Sequence, residues 1–93
     1  MARIMDPNAA GKAAFAAGRY AEAVSLFGEA LGRTPADHLL LCNRSAAQLK
    51  LGRYDAAVQD ARRATDAAPS FVKAHYRLAC ALQGRGDVEE ALR

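Results

Sequence analysis

The sequence predicts an all-α fold of stacked helical hairpins, and three observations carry it. Gly18-Arg19-Tyr20-Ala21-Glu22-Ala23-Val24 recurs as Gly52-Arg53-Tyr54-Asp55-Ala56-Ala57-Val58 and, more loosely, as Gly86-Asp87-Val88-Glu89-Glu90-Ala91-Leu92. The three glycines stand 34 residues apart, as do Ala23, Ala57 and Ala91, and as do Pro35 and Pro69. A fixed period of that length marks a solenoid of repeated supersecondary units. Alanine, the best helix former, supplies 23 of the 93 residues, against only six aromatic side chains and no tryptophan, where strands would favour aromatic and β-branched residues.

Each period reads as two helices. Asp6 is an N-cap and Pro7 fits the first helical position, where its missing N–H costs nothing. The first helix then runs to about Ala17, and Gly18 ends it with a backbone free to take positive φ. The second carries Ala23, Leu26, Phe27, Ala30 and Leu31 as one apolar stripe and stops at Thr34-Pro35, because the residue before proline avoids helical geometry. Asp37 caps a third helix reaching about Leu51, and a fourth lies between Asp55 and about Ala67. Pro69 then interrupts, Ser70 caps a fifth helix ending near Gly84-Arg85-Gly86, and a last helix begins at Asp87 or Val88. The chain is one domain, residues 1–93, with repeats at about 4–37, 38–71 and 72–93, the third truncated. A stack of helical pairs is normally closed by a polar capping helix. The unfinished last helix therefore suggests a fragment, or an end covered by another chain, and raises self-association through that helix as an expectation.

Composition excludes several functions. No apolar run approaches the roughly 20 residues of a membrane span, and no basic-then-apolar leader opens the chain, so a cytoplasmic protein with no membrane partner is expected. Cys42 and Cys80 form no CxxC, and neither His38 nor His75 has a second ligand at metal spacing, so no metal or other cofactor is expected. The thiols read as packed residues. Ser25, Ser45 and Ser70 lack the His and acid of an activated nucleophile, which argues against an enzyme. Gly84-Arg85-Gly86 is a lone GxG in the wrong context for phosphate. The net charge of +3 comes from ten arginines and three lysines, against which Asp55, Asp60, Asp66, Glu89 and Glu90 interrupt any continuous basic stripe. Nucleic acid is therefore not the expected partner.

The 34-residue period, with Gly11, Ala23, Phe27, Ala30 and Pro35 in the first copy, resembles the tetratricopeptide repeat. So do Leu41, Ser45, Ala57, Ala61, Ala64 and Pro69 in the second copy, and Leu78, Ala79, Leu82 and Ala91 in the third. The resemblance implies a right-handed α-solenoid of two and a half to three repeats, whose first helices line a concave groove for partner peptides. Asn43-Arg44-Ser45-Ala46-Ala47 and Lys73-Ala74-His75-Tyr76-Arg77 further resemble the dicarboxylate-clamp subfamily. Those co-chaperone domains grip the acidic C-terminal tail, ending Glu-Glu-Val-Asp, of the seventy- and ninety-kilodalton heat-shock chaperones. Asn43, Lys73 and Arg77 match clamp positions one for one. On the first helix the residue types are exchanged: Asn8 stands where the family has lysine, and Lys12 where it has asparagine. One helical turn apart, these two still offer one amide and one ammonium.

The clamp also has a physical rationale. Lys73 and Arg77, at i and i+4, share a helix face, and like charges so placed destabilise a helix by a few tenths of a kcal/mol. An anionic ligand would relieve that repulsion, and each charge-assisted hydrogen bond to a carboxylate is worth about 1.5–3 kcal/mol. The expected function is an adaptor binding acidic chaperone tails through Asn8, Lys12, Asn43, Lys73 and Arg77. The alternative is a generic repeat scaffold for another protein.

Overall fold

A computed structural model describes residues 6–91, and within them lie five helices: α1 Pro7–Ala16, α2 Tyr20–Leu31, α3 His38–Lys50, α4 Tyr54–Ala67 and α5 Val72–Ala91. Local chemistry sets their ends. Asp6 accepts a hydrogen bond from the Ala9 N–H at 2.8 Å, and Asp37 accepts from Leu39 and Leu40 at 2.9 and 3.2 Å, so both expected acidic caps satisfy amides that a helix start leaves orphaned. Gly18 and Gly52 take φ values of +79° and +74°, which only glycine adopts without strain. Each of these turns is closed by a backbone bond reaching back five residues, Arg19 to Ala14 at 2.8 Å and Arg53 to Gln48 at 2.9 Å.

The helices pair as α1 with α2 and α3 with α4; α2 packs on α3, and α4 on α5. α3 touches both α1 and α5, which do not touch each other, so these three form one layer with α3 at its centre. Alanine permits the close pairing: Ala23, Ala47, Ala57, Ala61, Ala64, Ala74 and Ala81 are wholly buried. Phe27 and Leu41 supply the bulk, and Phe27 runs beneath α1 because Gly11 has no side chain there. A Cβ at Gly11 would lie 2.6 Å from the Phe27 ring.

Two polar side chains inside the second hairpin are paired, whereas the buried Oε1 of Gln48 has no partner. The fully buried Ser45 hydroxyl donates to the Ala57 carbonyl at 2.8 Å. Arg44 grips Asp60 through two hydrogen bonds of 2.7 and 2.8 Å. Those bonds to Asp60 push the Arg44 guanidinium further toward its charged form, and together they tie α3 to α4.

Two sequence expectations change at the third repeat. The chain does not turn at Gly84-Arg85-Gly86, and no separate helix starts at Asp87 or Val88; α5 runs unbroken to Ala91. In the first two repeats a tyrosine follows the turn glycine by two residues, and Tyr20 packs edge-on against Phe15 with centroids 5.2 Å apart. Val88 has no such ring, and Gly84 serves instead as a packing gap, since its Cβ would meet Tyr54 at 2.6 Å. Glycine inside a helix costs only about 1 kcal/mol relative to alanine, too little to break it unaided. Ser70 is likewise not the cap of α5. Phe71 precedes the helix, held by a T-shaped contact with His38 at 4.8 Å. Leu92 and Arg93, in the final helix that the sequence suggests, lie outside the described residues.

Candidate functional site

The layer formed by α1, α3 and α5 carries a groove of about 280 Å³. Its polar lining is Lys12 from α1, Asn43 from α3, and Lys73 and Arg77 from α5; its apolar lining is Phe15, Phe27 and Ala46. Helical spacing explains the grouping. Lys12 and Phe15 are three residues apart, as are Asn43 and Ala46, and Lys73 and Arg77 are four apart, so each helix turns its pair toward one side. Because α3 lies between α1 and α5, the Lys12 side of the groove is opposite the Lys73 and Arg77 side.

The electrostatics are one-sided. No acid lines the groove, and among the described residues no carboxylate forms an ion pair with Lys12, Lys73 or Arg77. Three acids elsewhere form ion pairs: Asp60 with Arg44, Glu22 with Arg19 at 3.6 Å, and Asp55 with Arg85 at 3.4 Å. The Nε of Arg77 is buried and has no hydrogen-bond partner, and its guanidinium lies 5.7 Å from the Tyr76 ring centroid. The buried thiol of Cys42 registers both cations of α5. Desolvation pushes its pKa up, and the charges of Arg77 and Lys73 pull partly against that rise. A buried donor with no acceptor is costly in a folded protein.

Four of the five residues singled out from the sequence therefore share the groove. Asn8 does not. It lines a separate pocket with Asp6, Pro7, Ala30, Arg33 and Asp37, and its Oδ1 is buried and unpartnered. Sequence reasoning took Phe27 only as part of a core stripe, whereas here its ring also lines the groove; the signal available was a glycine, Gly11, on the helix above an aromatic. It also treated Asp60 only as a break in basic charge and did not anticipate its pairing with Arg44.

The remaining candidates are accounted for structurally. His75 Nε2 lies 2.7 Å from the Pro69 carbonyl and His38 meets Phe71 in the T-shaped contact. Tyr76 is 60% exposed. Among the described residues no group of three His, Cys, Asp or Glu is arranged to hold a metal, and no helix is long and apolar enough to cross a membrane.

The fold has counterparts among known proteins. An Hsp70-Hsp90 organizing protein of Triticum aestivum is 41% identical over 86 residues, covering 92% of this chain but 15% of its own length. The chain thus spans a small part of that relative. The Sgt2 TPR domain from Aspergillus fumigatus superposes with a TM-score of 0.84 at 35% identity, covering 89% of this chain and 55% of that one. The second TPR domain of human RPAP3, solved by NMR in complex with the HSP70 peptide SGPTIEEVD, gives a TM-score of 0.83 at 29% identity, covering 92% and 72%. The family model for the tetratricopeptide repeat matches residues 8–70 and 42–93. With its paired helices, its 34-residue period and this match, the chain belongs to the tetratricopeptide repeat family.

Proposed function

We propose that this chain is a non-catalytic adaptor that binds the acidic C-terminal tails of seventy- and ninety-kilodalton heat-shock chaperones in the α1–α3–α5 groove. The observation that carries the proposal is an acid-free groove with three cations and one amide, including a buried Arg77 Nε that lacks an acceptor. Lys73 and Arg77 act as the main carboxylate ligands: a guanidinium presents a planar fork of donors and an ammonium a rotatable charge. Asn43 orients the tail, since its amide both donates to a carboxylate and accepts from a backbone N–H. Phe15, backed by the buried Phe27 and Ala46, offers an apolar surface for the side chain preceding the terminal acid. The RPAP3 domain, of similar fold, holds a peptide ending in the same four residues. Such a role carries with it the cytoplasmic location expected from the sequence.

Titration with a Glu-Glu-Val-Asp peptide tests the proposal. Binding is expected to weaken as salt rises and to fall about tenfold or more on amidating the peptide terminus or on Lys73→Ala, each of which removes a charge-assisted contact. Affinity indifferent to all three would identify a scaffold for some other partner.

A further inference from the structure

The exchanged pair on α1 bears on how the groove discriminates among tails. Asn8 and Lys12 are one turn apart, with Cβ atoms about 5–6 Å from each other as for any i,i+4 pair. They nevertheless open onto different cavities: Lys12 lines the groove, and Asn8 lines the pocket beside Asp37 at the start of α3. Asn8 is not among the residues that line the groove, and its carboxamide oxygen is buried and unpartnered. The α1 wall is left with a single polar group, an exposed ammonium.

We infer that Lys12 alone makes the α1 contact and reads charge rather than shape, so that the groove accepts C-terminal tails ending in Glu nearly as well as those ending in Asp. This rests on the clamp proposed above. An amide offers its donor and acceptor in one plane, and that fixes where a carboxylate must sit. An ammonium carries three donors on a flexible four-carbon stem and follows a carboxylate that moves. Geometric reading is therefore confined to Asn43 and the Arg77 fork, on α3 and α5. A terminal Glu carries its carboxylate one methylene further from the main chain than Asp, a change that a flexible ammonium can follow.

The test compares the wild-type chain with Asn8→Ala and Lys12→Asn by calorimetric titration. Three peptides identical but for a terminal Asp, a terminal Glu or an amidated terminal Asp are used, and circular dichroism verifies that each variant is folded. Wild type is expected to bind the Asp and Glu tails within about threefold of each other. Asn8→Ala should match wild type. Lys12→Asn should lose about tenfold toward both acidic tails, with a shallower dependence on salt. The inference is overturned if the folded Lys12→Asn protein binds like wild type, if Asn8→Ala loses as much as Lys12→Asn, or if wild type prefers Asp over Glu by more than tenfold. In all three cases the tails still bind, so the clamp itself survives. Failure of wild type to bind any free-carboxylate tail overturns the clamp and this inference together.

Discussion

Arg44 and Arg77 are two half-buried arginines of one small domain in opposite electrostatic circumstances. Arg44, next in sequence to Asn43, turns into the α3–α4 interface and is closed off by the bidentate grip of Asp60, which is 4% exposed. Arg77 faces a groove without acids and leaves a buried N–H unpartnered. The first cation holds a hairpin together, whereas the Nε of the second has no partner within the chain. In an arginine-rich protein the partner, more than burial or charge, distinguishes an architectural cation from one available to a ligand.

The contrast is broken most forcefully at Asp60. Asp60→Ala strands the Arg44 guanidinium in the interface, and removing one member of a buried pair costs about 3 kcal/mol. Denaturant unfolding should show that loss, while the protein that remains folded keeps its peptide affinity. Arg77→Ala should do the reverse: affinity for an acidic C-terminal peptide falls by about 10- to 100-fold, and unfolding free energy does not fall as it does for Asp60→Ala, because the change removes a buried donor that has no acceptor. Gly11→Ala sharpens the comparison, because its Cβ would meet the Phe27 ring at 2.6 Å. Overpacking of this kind costs about 1–3 kcal/mol, and it displaces a ring of the groove, so stability and affinity should fall together. The smallest effect is expected at Gly86, which is helical, without positive φ and open to solvent. Gly86→Ala should stabilise the chain by up to about 1 kcal/mol in thermal melts, whereas a turn at Gly86 would make the same change destabilising.

The repeat was legible in the sequence because its determinants are local. A carboxylate cap, a glycine at positive φ and a proline each act within a few residues, and Asp6, Asp37, Gly18 and Gly52 behave as their chemistry requires. At Gly84 and Gly86 the same local rules mislead. The turn motif is incomplete without its tyrosine, and Gly84 answers to Tyr54 on another helix. Grouping of Lys12, Asn43, Lys73 and Arg77 follows from period and helical face, so most of the candidate site could be read in advance. Two features could not. The side to which Asn8 turns depends on how α1 packs beside the start of α3, and the Arg44–Asp60 pair spans residues on facing helices. Both are tertiary facts that no spacing rule encodes.

The most direct measurement is NMR observation of the arginine Nε–H resonances while a Glu-Glu-Val-Asp peptide is added. The Arg77 resonance should move downfield and exchange more slowly as its buried donor gains a carboxylate acceptor, while that of Arg44, already bonded to Asp60, stays where it is. An Arg77 resonance unmoved at saturating peptide, or a response confined to Arg44, would contradict the division of labour between these two side chains.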